Sequence, residues 1–161
     1  MFRDKTTNKG IGRFFIFSIV LLMVFLFCSC QINDKSMKDG YYYAETSDFD
    51  EHGWKEYVAI YVANNTIITA DYNAKNASGF IKSWDMEYMS IMNATDGIYP
   101  NKYTREYVQA LLTTQDPHKI DAISGASHSF TSFQALALKA IEHAYAGDET
   151  AAYVDLATLE H

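Results

Sequence analysis

Between residues 41 and 72 apolar side chains recur at every second position, and beyond residue 83 they recur at every third and fourth. The first period belongs to strands, whose side chains alternate between faces; the second belongs to helices. Strands are therefore expected at 41–46, 56–62 and 66–72. Val58, Ile60 and Val62 form one face of the middle strand, and Tyr57, Ala59 and Tyr61 form the other. Both faces are largely apolar, which predicts a central, covered strand. Asn64-Asn65 separates it from the next and suits a hairpin turn with positive φ. Helices are expected at 83–93, with Trp84, Tyr88, Ile91 and Met92 on one stripe, and at 103–112. A longer one at 127–146 has Phe130, Phe133, Ala137, Ile141 and Ala144 on one face. Gly147 stands where a C-terminal cap belongs. A brief strand is expected at 119–123, and a weak or frayed helix at 148–161. The predicted class is α+β, an antiparallel sheet packed by helices.

The N-terminal pattern differs from all of this. Arg3, Lys5, Lys9 and Arg13 precede 14 uncharged residues, 14–27. A membrane-spanning helix needs about 20 apolar residues, so the run has the length of a cleavable leader's core. Cys28-Ser29-Cys30 follows, and small Ser29 directly before Cys30 resembles a lipobox. Phe27 and Cys28 depart from the usual residues there. The expectation is a leader at 1–29 and a diacylglyceryl anchor on Cys30 that holds the chain to a lipid bilayer. A polar tether at 30–38 would follow, and then one domain at 39–147 placed outside the cytoplasm, in the periplasm or at the cell surface. An uncleaved signal anchor is the alternative reading.

Removing the leader changes the charge. The chain has 13 basic and 20 acidic residues, of which four and one lie in 1–29, so the remainder holds 9 and 19, a net charge of −10. Arg105 is the sole arginine left. Nucleic-acid binding, which depends on phosphate neutralisation by Lys and Arg, is excluded. An anionic ligand would have to be held by local backbone geometry. Cys28 would be lost and Cys30 capped, leaving no disulfide.

That geometry is suggested at Asp121-Ala122-Ile123-Ser124-Gly125-Ala126-Ser127. A tight small-residue turn there leads into the N-terminus of the long helix, whose unpaired N–H groups and positive dipole end attract phosphate. Gly125 and Ala126 permit close approach, and Ser124, Ser127 and Ser129 add hydroxyls. A side chain at Gly125 would crowd that approach, and would also strain the turn if φ is positive there. The small flanking residues favour phosphate access as the reason for glycine. Simple helix capping by serine is the alternative.

D-A-I-S-G-A-S resembles the D-x-x-S/T-G-A-T/S signature of the FMN-binding domain family. That family includes the C subunit of the sodium-pumping quinone reductase, the G subunit of the Rnf complex and small secreted flavin lipoproteins. D-G-Y-Y-Y-A-E, G-W-K-E-Y-V-A-I-Y-V, T-I-I-T-A-D-Y-N, K-S-W-D-M-E-Y and L-L-T-T-Q-D-P-H-K-I follow the family's order over about 39–144. The segment 48–57 is also similar to one in the small membrane-anchored lipoproteins of treponemes. The resemblance implies an FMN-binding-domain-like fold with FMN held by Asp121, Ser124, Gly125, Ala126 and Ser127. It further implies a phosphoester to the hydroxyl of Ser127, made by a flavin transferase from FAD with Mg²⁺. Most members carry Thr at that position. Serine offers the same chemistry, and non-covalent FMN stays open.

Other residues point elsewhere more weakly. Asp48-x-Asp50-x-His52-Gly53 looks like the start of a calcium loop, but Ala59 stands where loop position 12 needs Glu. His118, His128, His143 and His161 lack metal-ligand spacing, so no metal is expected. No G-x-S-x-G elbow supports a hydrolase. Tyr41, Trp54, Tyr88 and Tyr103 are candidates to flank an isoalloxazine ring, each with plain packing as its alternative. The reading is a membrane-anchored FMN protein that relays electrons between redox partners, a carrier more than an enzyme. The alternatives are a reversible FMN-binding flavin reductase and a non-redox surface lipoprotein acting through protein contacts.

Overall fold

The computed structural model describes residues 36–158, so the leader at 1–29, Cys30 and the first part of the tether lie outside the described residues. Strands β1 (Gly40–Thr46), β2 (Lys55–Ala63), β3 (Thr66–Lys75) and β4 (Ala152–Val154) form one sheet in the order β3-β2-β1-β4. Helices α1 (Met86–Asp96), α2 (Pro100–Thr114) and α3 (Ser127–Ala146) accompany it, giving an α+β fold. The β2–β3 hairpin turns on Asn64 and Asn65 with φ of 51° and 58°, as the dipeptide predicts.

Burial alternates strictly along β2. Val58, Ile60 and Val62 face a core completed by Tyr72 of β3, Tyr107 and Leu111 of α2, and Phe133, Leu136, Ala137 and Ala140 of α3. Each fully buried large apolar side chain contributes about 1.5–3 kcal/mol. Among the described residues no helix covers the second face of β2. It is a half-exposed tyrosine layer, with Tyr61 against Tyr41 at 4.6 Å and Tyr57 against Tyr43 at 5.8 Å. Aromatic bodies supply the apolar character from which a covered strand was expected; the strand is central in the sheet, but this face is half-exposed.

Four expectations are corrected. The tail is not a frayed helix: 152–154 adds a parallel strand to β1, so the sheet is mixed, and buried Ala152 lies opposite buried Ala44. Residues 119–123 form no strand, because the segment follows a 3₁₀ turn (Pro117–Lys119) and continues as irregular backbone. The first helix begins at Met86, where the Asp85 carboxylate accepts from Tyr88 N–H at 2.9 Å; Trp84 precedes it in a 3₁₀ turn. Its expected apolar stripe is largely outside the core, with Trp84 64% and Ile91 59% exposed, while Met92 packs inward. Finally, Met37 and Lys38 are not free tether. Met37 is buried and its N–H donates to Asn65 Oδ1, and Lys38 N–H donates to Ala144 O at the end of α3.

Candidate functional site

Residues 123–126 form a tight turn closed by Ala126 N–H donating to Ile123 O at 2.9 Å. Gly125 sits third in it with φ of 82°, a value that suits glycine in a type II turn. The expectation that glycine serves only phosphate access is therefore incomplete; the backbone itself requires it. α3 starts at Ser127. Its N-cap is Ala126, and no side chain caps it. Serine capping, the alternative reading of this segment, does not occur. The first turn of α3 keeps N–H groups without a side-chain acceptor, and Ser127 and Ser124 are exposed. Asp121 is also exposed, and of the five residues expected to hold FMN only Gly125 and Ala126 line the adjacent cavity; Asp121, Ser124 and Ser127 do not.

A cavity of about 350 Å³ opens beside this turn, within the range of small-molecule sites. Gly125, Ala126, His128 and Ser129 form one wall, and Lys82, Tyr88, Met92 and Tyr103 face them. A second hollow of about 280 Å³ shares Asp50 and His128 with it and is lined by Trp54 and Glu56. Lys82 lies between them, its ammonium 5.7 Å from the Trp54 ring and 5.8 Å from that of Tyr88. Tyr88, Tyr103 and Trp54 are thus brought to the site. Tyr41 is not: it belongs to the outer tyrosine layer and is 73% exposed. Asp50 spends its carboxylate on its own loop, accepting from His52 N–H at 2.9 Å and Trp54 N–H at 2.8 Å.

Beneath the turn lies a layer of buried hydroxyls that sequence reasoning did not find. Tyr107 O–H donates to Ala126 O at 3.1 Å and accepts from Ile123 N–H at 3.0 Å, clasping both ends of the turn. Tyr72 O–H reaches Ser129 O at 2.8 Å and Glu56 Oε1 at 3.1 Å. Tyr103 pairs with the Ser129 side chain, and Ser132 pairs with Glu56. Burial pushes the Glu56 carboxyl up, partly offset by Ser132, Lys82, Tyr72 and His128. Burial also raises Tyr72 and Tyr103. One signal for Glu56 was legible: it falls on the face shared by Val58, Ile60 and Val62, where a carboxylate must find partners.

No protein-family model matches the chain. The 15 kDa lipoprotein of Treponema pallidum (strain Nichols) is 33% identical over 140 residues, spanning 87% of this chain and 94% of that protein. The chain belongs to the family of that lipoprotein. This agrees with the treponemal resemblance of segment 48–57 and with the lipoprotein character read from the N-terminus. A crystal structure from Clostridium perfringens, 36% identical, superposes with a TM-score of 0.72 over 74% of this chain and 98% of that one.

Proposed function

We propose that this protein is a lipoprotein anchored through Cys30 outside the cytoplasm, carrying FMN on Ser127 and passing electrons to and from redox partners. The observation that carries the reading is the uncapped start of α3, with an exposed acceptor hydroxyl, beside an aromatic-lined cavity. Membrane anchoring is supported by kinship to a lipoprotein and by the leader pattern ending at Cys30.

The residues fit the cofactor in three respects. N–H groups of the first turn of α3 suit a phosphate, and the left-handed Gly125 keeps side chains out of its approach. The Ser127 hydroxyl is open to a transferase. Its oxygen would bond the FMN phosphorus of FAD, releasing AMP, while the transferase takes the hydroxyl proton. Tyr88 and Tyr103 line the cavity and would pack against a flat ring there, and the Lys82 ammonium in the same lining would favour a ring that gains electron density on reduction. When bound, FMN supplies the one- and two-electron chemistry; the protein supplies attachment and electrostatics. A lipoprotein acting through protein contacts is a second reading, favoured by the exposed Trp84, Met86 and Ile91.

The test is a denaturing gel of membrane fractions from cells producing the full chain with a flavin transferase, viewed under ultraviolet light. A fluorescent band is expected, lost in Ser127→Ala and moved to the soluble or precursor fraction in Cys30→Ala. Flavin that leaves on denaturation would replace covalent by reversible binding. Colourless native protein would overturn the flavin reading.

A further inference from the structure

The geometry points to a second binding site, on the outer edge of β3, for an extended peptide segment that carries an Asp or Glu side chain. It rests on neither FMN nor Ser127.

Backbone N–H and C=O groups alternate between the two sides of a strand. Ser47 N–H, continuing β1, donates to Val154 O of β4, so odd positions of β1 face β4 and its even positions face β2. The register Ala44↔Val58 and Ala59↔Asp71 then turns Asp71 and Asn73 toward β2 and leaves Ala70, Tyr72 and Ala74 on the free edge. Two bonds agree: Ala74 N–H donates to Asn73 Oδ1, and Ile67 N–H, beyond the irregularity in register, donates to Gln115 Oε1.

Every part of this edge is closed except one. Gln115 acts as a substitute strand at Ile67, accepting from its N–H at 2.7 Å and donating Nε2–H to its carbonyl at 3.1 Å. At the other end Asn73 covers Ala74, Asn76 N–H donates to Phe80 O, and Lys75 bridges to Ile81. Between these covers, Ala70 and Tyr72 have N–H and C=O groups without a partner among the described residues. Natural sheets blunt exposed edges, and here the blunting stops at two residues.

A groove of about 400 Å³ runs along that window, walled by Asn101, Thr104, Arg105, Val108 and Gln109 of α2. Arg105 is the sole arginine after the leader, and it forms no ion pair among the described residues of a strongly acidic domain. Its planar fork matches a carboxylate with two parallel hydrogen bonds. Asp71 also lines the groove, with its carboxylate accepting from Tyr57 O–H at 3.0 Å; the more remote acidic residues oppose an acidic peptide only weakly, because charges beyond about 8 Å are screened at physiological salt. Strand addition would supply the main-chain bonds, and Arg105 would select the side chain.

The experiment follows amide hydrogen exchange in the full chain, purified from membranes in detergent. The probes are acetyl-Thr-Val-Glu-Val-Thr-amide and its twin with Lys in place of Glu. The Glu peptide is expected to slow exchange at Ala70 and Tyr72 by about tenfold or more, with the Lys peptide far weaker. Arg105→Gln, an exposed change, should weaken the Glu peptide by about tenfold and remove the preference. Ala70→Pro deletes an outward N–H without breaking the β2–β3 ladder and should abolish binding. Equal binding of both peptides, protection elsewhere, or no protection at these amides would overturn the proposal. So would free acetate protecting them as well as the peptide does.

Discussion

Tyr107→Phe removes one oxygen from a fully buried ring and leaves the packing shape intact. The ring lies 5.1 Å from Phe133 and 6.2 Å from Tyr72, and neither contact needs the hydroxyl. What disappears is the clasp on the turn. Ala126 O keeps a partner, because Phe130 N–H also donates to it at 3.0 Å. Ile123 N–H has no second acceptor, so it becomes an unpaired donor in a half-buried position. The lost bond to Ala126 costs about 0.5–1.5 kcal/mol, and the orphaned donor about 1–3 kcal/mol. Partial exposure of Ile123 lets water recover some of this, so the net loss is about 2 kcal/mol. For a domain of this size that lowers the melting temperature by about 6–10 °C. Thermal melts of wild type and Tyr107→Phe, followed by circular dichroism, measure it. The same variant should load flavin on Ser127 more slowly, since the turn presenting the hydroxyl loses its support. A melt within about 1 °C of wild type would refute the clasp as a source of order.

Gly125→Val forces a branched side chain into φ of 82° and should cost about 1–3 kcal/mol in melts while also blocking flavin acquisition. Normal stability together with full flavin would remove the turn from the site. Glu56 has a folded-state pKa raised by burial, so the folded protein binds its proton more tightly than the unfolded chain does. Stability contributed by this group is full below the ordinary carboxyl value and falls as pH rises above about 4.5. Glu56→Gln should therefore gain on wild type in melting temperature as pH rises from 4 to 7; a constant difference would argue against a raised value. Burial pushes the Glu45 carboxyl up, but hydrogen bonds from Lys75, Tyr43 and Lys55 outweigh it and hold the group at about 2. Its contribution, on the order of 2–3 kcal/mol, is present above about 4.5 and lost as pH falls toward 2. Glu45→Gln should flatten the acid limb of a pH–stability curve, and an unchanged limb would refute the pairing.

The periodicity of the chain was enough to find β1, β2, β3 and the long helix, whose bounds Ser127 and Ala146 and C-cap Gly147 agree with the structure. Local signals sufficed there: strict alternation, a positive-φ dipeptide and a glycine stop. The fourth strand was not legible, because Ala152-Tyr153-Val154 is too short for a period and exists only through its pairing with β1. Helix α1 was misplaced for the opposite reason. Trp84, Tyr88 and Ile91 carry a helical spacing, yet local hydrogen bonding at Asp85 decided the start and the stripe stayed outside. At the site, the tight turn before Ser127 was readable from its small residues, and of the four aromatics named as candidates Tyr88 and Tyr103 line the adjacent cavity while Tyr41 lies elsewhere. The supporting hydroxyls of Tyr72 and Tyr107 were not readable, because a tyrosine at a core-facing position looks like any other aromatic. Their roles arise from contacts 16 to 57 residues away in sequence.

The bond proposed between FMN and the Ser127 hydroxyl is a phosphoester. Its most direct test is peptide mass spectrometry of the full chain after co-production with a flavin transferase. Trypsin cutting after Lys119 and Lys139 isolates the whole turn and the first half of α3 in one peptide, 120–139. Fragmentation should place an FMN phosphoester on Ser127, absent in Ser127→Ala and restored in Ser127→Thr. An adduct on Ser124, or an unmodified peptide in the presence of a transferase active on another substrate, would contradict it.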